Sequence, residues 1–303
     1  MSDVIRLWDF PQAAQYMIAG WRQWADAGNV SSGLPKYLIE QTSARRIGEM
    51  APEGFYLFQI PGAHHFLRPV VKLSEGYRES LERRSNEFFY AGDDRKGFVI
   101  FLGEEPHLNE ERYAETFFDA VEALGIQRVA ALGGVHAPVP YNKERDISCI
   151  YSLPALKAEL AEYAIRFSDY EDGVTISTYL ADKAEARGIE FFSFYAFVPA
   201  YDFSQPSVLV QQVAMEDDFK AWYDLMRRLD HMFRLGLDLA DLARRADRLI
   251  AEWEAKMDHL ARAMPQLDVA GYLQKVNAEF SERQFMPFRD LWEEELGDLL
   301  GNL

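Results

Sequence analysis

Cysteine is almost missing from this chain: Cys149 is the single one among 303 residues, which excludes an intramolecular disulfide and any cysteine-based metal site. Positive charge is scarce as well. Thirty-two Lys and Arg face 49 Asp and Glu, and the net charge of −17 repels phosphate backbones and anionic lipid, so neither nucleic acid nor a membrane is an expected partner. No apolar run approaches the ~18 residues needed to span a bilayer. The opening MSDVIRLWDF has neither the basic start nor the apolar stretch of a signal peptide, and a cytoplasmic setting is expected. Catalytic signatures are also absent: no GxSxG elbow, no GxxxxGK[ST] or GxGxxG phosphate loop, no HExxH or HxxxH helix. Covalent hydrolysis, nucleotide-loop binding and helix-borne zinc therefore lack a motif, and neither a metal nor a cofactor is implied.

What is present reads as alternating strands and helices. Residues 15–20 (QYMIAG) predict a strand, followed by a polar turn and a helix capped by Ser31 or Ser32, with Pro35 in its first turn. Residues 55–60 and 68–73 predict a strand pair around a loop holding His64 and His65, residues 75–84 a connection, and 86–90 a further strand. Then comes a clear unit: strand 98–102, a turn from Gly103, a helix opened by Asn109 with Glu110 and Glu111 in its first turn, and strand 126–132. Its length suits a right-handed crossover and predicts two neighbouring parallel strands ending in loops at Gly103 and Gly133. Helices over 152–163 and 174–187 and a buried strand over 189–198, stopped by Pro199, continue the alternation. Beyond Pro206 the pattern predicts helices alone, with apolar stripes such as Phe219, Trp222, Met226 and Leu229, ending in short helices over 269–283 and 288–300. The expected fold is a three-layer α/β/α arrangement around a mostly parallel mixed sheet, with a core over 1–237 and a C-terminal helical extension over 238–303.

In such sheets ligands lie beyond the carboxyl ends of the parallel strands. That rule nominates Asp26, Gly28, Asn29, Gly103, Glu104, Glu105, Gly133, Gly134, His136 and Tyr201 as cleft residues. The stretch over 129–141, VAALGGVHAPVPY, is their centre. Glu104 and Glu105 are sequence neighbours, so on an extended segment their carboxylates diverge and cannot share one substrate. The carboxylates read more simply as caps of following helices, His136 as a hydrogen-bonded structural residue, and the glycine pair as a tight turn or a close backbone approach.

Several motifs in order carry a resemblance. GWRQWADAGNVSSG (20–33) is similar to the GWxDAG segment of the PAC2 family, the proteasome assembly chaperone 2 family, with an insertion between Trp21 and Asp26. FVIFLGEEP (98–106), LGIQRVAALGGVHAPVPY (124–141), GIEFFSFYAFVPAY (188–201) and GYLQKV (271–276) resemble its later segments. The resemblance implies a phosphorylase/hydrolase-like α/β fold with a helical C-terminal extension, homo-oligomers with a trimer favoured, and a protein partner such as a proteasome-related complex. It implies no catalytic residue. Where the family has His after Val-Pro, this chain has Tyr141 and Ala200, which weakens an enzymatic reading. The expected function is therefore assembly-chaperone-like protein interaction; the alternative is binding or hydrolysis of a nucleoside-like small molecule in the strand-end cleft.

Overall fold

The computed structural model describes residues 4–59, 68–203 and 212–286. Among these residues the strands are β1 (Ile5–Leu7), β2 (Ala14–Arg22), β3 (Arg45–Met50), β4 (Val70–Ser74), β5 (Tyr77–Glu82) and β6 (Asn86–Gly92), then β7 (Gly97–Glu104), β8 (Arg128–Ala137), β9 (Ile147–Tyr151), β10 (Arg166–Phe167), β11 (Glu190–Tyr201) and β12 (Val213–Ala214). The helices are α1 (Gly33–Gln41), α2 (Glu110–Ala123), α3 (Leu156–Leu160), α4 (Ile176–Arg187), α5 (Phe219–Phe233), α6 (Ala240–Ala263) and α7 (Val269–Glu279).

One sheet runs in the order β1-β3-β6-β7-β2-β8-β11-β9-β10, with β12 added to β11. Its centre, β7-β2-β8-β11, is parallel, and antiparallel strands flank it on both sides. Strand alternation sorts the apolar side chains into two cores. Ile18, Ile100, Ala130 and Leu132 face one core, together with Leu34 and Leu38 of α1, Leu225 and Leu229 of α5, and Trp253 and Met257 of α6. Met17, Val99, Phe101 and Val129 face the other, with Phe117 and Val121 of α2 and Leu180 and Ala184 of α4. Helices thus cover both faces, giving the three-layer α/β/α fold. Each fully buried aromatic or aliphatic side chain contributes roughly 1.5–3 kcal/mol, and the second core concentrates them: Phe101 lies 4.9 Å from Phe88, 5.0 Å from Phe117 and 5.3 Å from Trp21, ring centre to ring centre.

Helix boundaries follow local chemistry. The Thr175 side chain accepts from Thr178 N at the start of α4, and Gly188 closes that helix at φ +69°. Asp218 accepts from Ala221 N and caps α5. At α1 the expected serine caps are replaced: Ser31 Oγ accepts from Trp21 N at 3.0 Å, and the cap is supplied from outside the helix by Asp26.

Several expectations are corrected. β7 and β8 are not neighbours, because β2 lies between them and pairs with both. Residues 55–59 form no strand; β4 pairs instead with β5, inside what read as a connection. The turn explains it: Glu75 and Gly76 both have positive φ, +47° and +82°, the requirement of a two-residue hairpin turn. β8 does not stop at Gly133 but continues through both glycines to Ala137. β11 likewise runs past Pro199 to Tyr201. The β9 side of its ladder ends at Ala196, so the missing proline N–H has no β9 partner there. β1, β3 and β9 were not foreseen, and β12 adds a short strand beyond Pro206. The region over 152–163 contains only the short α3 and one 3-10 turn. His64, His65 and the expected helix over 288–300 lie outside the described residues.

A buried charge network fastens α5 to the segment after β8. Arg145 and Asp218 are both fully buried, and the guanidinium reaches the carboxylate through Nε at 2.8 Å and Nη2 at 3.1 Å. Its Nη1 donates to the carbonyls of Tyr141 and Lys143, while Asp224 accepts from Arg145 N. Arg228 bonds Glu144 at 2.6 Å and the Tyr163 carbonyl. Such pairs are stable when their remaining donors are satisfied, as here.

Candidate functional site

The carboxyl ends of β2 and β7 open into a cleft of about 870 Å³, within the range of small-molecule sites. Four of the ten nominated residues line it: Asp26, Asn29, Gly103 and Glu104. Gly28, Glu105, Gly133, Gly134, His136 and Tyr201 do not. Opposite walls come from Lys36 and Tyr37 of α1, Phe219 and Trp222 of α5, Arg245 of α6, and Arg83 and Arg84 at the base of the hairpin. Lys36 and Arg83 are exposed, so cationic groups gather here on a strongly acidic chain.

Asp26 sits where β2 turns into α1, and its carboxylate is engaged on every side. Oδ1 accepts from Ser31 N at 2.8 Å and Ser32 N at 3.0 Å, and Oδ2 from Ser32 Oγ at 2.6 Å. Burial nonetheless raises its pKa, against those bonds and the nearby Arg22. Glu104, at the end of β7, is held by Arg22 at 3.5 Å and by Arg84. Glu105 points the other way, as an extended segment requires. Its two oxygens accept from Trp24 N and Ile176 N, each at 3.0 Å. That carboxylate therefore caps α4 and ties the Trp24 loop to it.

The glycine pair is a place of close approach. A Cβ on Gly134 would lie 2.0 Å from the Ala27 carbonyl oxygen, and one on Gly133 2.3 Å from the Tyr195 ring. Gly134 N donates to Ala25 O at 2.9 Å, so β8 carries the turn over 25–29 on its back and is shielded from the cleft by it. This is why the end of β8 over 133–136 does not line the cleft. Gly28 is buried beneath α5, its carbonyl accepting from Trp222 Nε1 and Asp218 N. Asn29 Nδ2 donates to Asp217 at 2.8 Å. His136 is exposed at the end of β8, with a pKa lowered by desolvation. Tyr201 is fully buried and donates its hydroxyl proton to the Val139 carbonyl at 2.8 Å. The two positions that depart from the family pattern are packing positions: Tyr141 lies 6.4 Å from the Trp253 ring, and Ala200 is buried against β12.

Sequence reasoning missed a polar knot under the rim. Asn86 Oδ1 accepts from the Tyr56 and Tyr113 hydroxyls at 2.9 and 3.0 Å and from Glu104 N at 3.1 Å, while Trp21 Nε1 donates to Tyr113 Oη at 2.9 Å. These side chains fix the end of β7 through hydrogen bonds, while the buried Asn86 Nδ2 is left without a partner. His107 joins them as an acceptor from Leu57 N, its pKa lowered by burial and then by Arg84. Among the described residues no three His, Cys, Asp or Glu side chains converge as metal ligands, and no helix is long and apolar enough to cross a membrane.

Sequence reasoning also missed what is exposed. Trp24, one turn beyond β2, is 69% exposed, unusual for the residue type most prized in protein contacts. Its indole lies over Gly173, whose added Cβ would be 3.3 Å away. Tyr170 and Val174 stand exposed on the same loop, 65% and 58%. The clue was the run SDYEDGV, an aromatic among acids in a turn with no apolar period to bury it.

Comparisons place this architecture. The sheet superimposes on a proteasome-assembly chaperone homologue of Mycobacterium tuberculosis (TM-score 0.67, 21% identity, 79% of this chain and 94% of that one). It also matches a PAC2 family protein of Streptomyces avermitilis (0.66, 22%, 85% and 98%) and an archaeal homologue of proteasome-assembly chaperone from Pyrococcus furiosus (0.53, 14%, 88% and 99%). Identities this low speak for the fold alone. A search of curated proteins gave no match. The PAC2 family model matches residues 21–261, which takes in the Trp24 and Asp26 turn, all four central strands from the end of β2 onward, and the helices that cover them: the chain belongs to the PAC2 family.

Proposed function

We propose that this chain is a self-associating protein-interaction factor of the assembly-chaperone kind, working by binding rather than by chemistry, in a cytoplasmic setting. The observation that carries the reading is the contrast at the strand-end edge. The rim carboxylates Asp26, Glu104 and Glu105 are all engaged in caps and ion pairs, whereas Trp24, its backbone N–H bonded to Glu105, and its neighbours Tyr170 and Val174 are left exposed. Family membership supports it: relatives of the same fold are described as proteasome-assembly chaperone homologues. On this reading the native protein is a homo-oligomer, a trimer above other states, with a proteasome-related complex as the kind of protein it meets. Light scattering on the purified protein is expected to give a multiple of the 34.9 kDa chain mass. A monomer at every concentration that also binds no assembly intermediate of its host's proteasome or a comparable ring complex refutes the reading.

A second reading is carried by the cleft, where Arg22, Lys36, Arg83 and Arg84 surround a volume suited to a small anion. A nucleotide or nucleoside is the ligand class to screen. A thermal shift abolished by Arg84→Ala supports this reading, and a shift with no ligand tested removes it.

A further inference from the structure

The β4–β5 hairpin stands apart from the rest of the fold. Neither strand joins the large sheet, and a two-stranded ribbon alone is at best marginally stable in water. Five of the fourteen exposed large apolar side chains among the described residues fall on it, between positions 70 and 81, so it is the most apolar exposed element. They are also arranged. Val71 is paired directly with Leu81, and Leu73 follows Val71 by two residues on the same face; the three are 48%, 36% and 59% exposed. The surrounding charge is opposite to that of the molecule. Residues 68–84 hold five Arg and Lys against three Glu, in a chain of net charge −17.

A surface of matching character exists elsewhere on the chain. In the loop over 168–175 every residue from Asp169 to Val174 is exposed. Asp169, Glu171 and Asp172 there make no ion pair with a described residue, and they surround the apolar patch of Trp24, Tyr170 and Val174. The Glu105 bonds to Trp24 N and Ile176 N hold the two halves of that patch together.

We propose that the β4–β5 hairpin is a docking arm whose apolar, basic surface seats on the acidic, aromatic loop over 168–175 and on Trp24 of a second copy of this chain. The inference rests on the self-association proposed above and names the two surfaces that produce it. Charge complementarity selects the occupant: arm and loop carry opposite signs, and their pairing offsets the repulsion between two copies each at −17. Because arm and loop are different surfaces, the contact is head to tail. Contacts of that kind close into rings when the rotation allows, a trimer among them.

Two variants and a mixture test it. Val71→Asp with Leu73→Asp alters only exposed arm positions, and Trp24→Ala with Tyr170→Ala only exposed patch positions, so circular dichroism should match wild type and the melt should stay cooperative, its midpoint lowered only by the lost association. Each variant alone is expected to weaken self-association by about 100-fold or more and to run as a monomer in light scattering. The equimolar mixture retains one intact arm and one intact patch and is expected to form a dimer. An arm variant that keeps the wild-type mass overturns the arm while leaving self-association standing. A mixture that stays monomeric overturns the head-to-tail pairing. A wild-type protein that is itself monomeric removes both this inference and the self-association beneath it.

Discussion

Replacing Asp26 separates a structural rim from a catalytic one. Asp26→Ala removes the acceptor of two backbone N–H groups and one hydroxyl. Ser31 is fully buried, so its N–H finds no water. Losing a cap costs about 1 kcal/mol, and stranding a buried donor about 1–3 kcal/mol; the sum expected for Asp26→Ala is about 2–4 kcal/mol. Asp26→Asn keeps a carbonyl oxygen for both N–H groups and turns Nδ2 toward Ser32 Oγ, so a loss under about 1 kcal/mol is expected. The pH dependence has a definite sign. Burial raises the folded pKa above the ordinary 3.8, so the folded protein holds the proton more tightly than the unfolded chain does. Wild-type stability relative to the non-titrating Asn variant is therefore greatest below pH 3.8, falls as the pH rises through the raised folded value, and is level above it. Urea unfolding of wild type and both variants across pH 3.5–7 reads all of this. An Asn variant as damaged as Ala refutes the capping account, and a wild-type advantage that grows with pH refutes the dominance of burial over the capping bonds in setting the Asp26 pKa.

Three further outcomes follow from other parts of the structure. Cys149 is buried and its thiol pKa is pushed up by desolvation, so Ellman's reagent should find no reactive thiol in the native protein and one per chain in guanidinium; fast native labelling contradicts the packing of β9. Gly134→Ala sets a methyl group 2.0 Å from a backbone carbonyl and should cost about 1–3 kcal/mol in a thermal or urea melt, whereas an unchanged melt means that the turn over 25–29 does not rest on β8. Asp218→Ala leaves the buried Arg145 guanidinium unpaired and should cost about 3–5 kcal/mol. Less than 1 kcal/mol would indicate that the Arg145 network is not closed as described.

How much of this was legible in the sequence depends on range. β2, β7, α2, β8 and α4 announce themselves through apolar period, acidic first turns and glycine stops, which are local signals. β1 and β9 do not, because three and five residues are too short for a period to show, and β3 does not because RRIGEM is half polar and becomes a strand only when its neighbours supply the ladder. The β4–β5 hairpin was readable from the Glu75-Gly76 turn between two alternating segments, but the prolines and histidines upstream drew the pairing to the wrong partner. At the site, strand-end logic identified Asp26, Asn29, Gly103 and Glu104, since those ends belong to the adjacent β2 and β7. It failed for Gly133, Gly134 and His136, because a turn from elsewhere in the chain covers β8, and for Tyr201, which continues its strand into the core. The Arg145–Asp218 pair spans 73 positions, beyond the reach of any periodicity.

Zero-length carbodiimide cross-linking of the Arg78→Lys protein, half of it labelled with nitrogen-15, tests most directly whether the strand-end edge is a surface for recognition between copies, because position 78 pairs with Leu73 on the docking face whereas Lys72 lies on the other face beside Glu79. The coupling joins an amine to a carboxylate already in contact. Peptides linking the lysine introduced at position 78 of the arm to Asp169, Glu171 or Asp172, and carrying mixed isotope labels, are the expected product. Links from position 78 to that loop only within one isotope label, or no link to the loop at all, contradict the account.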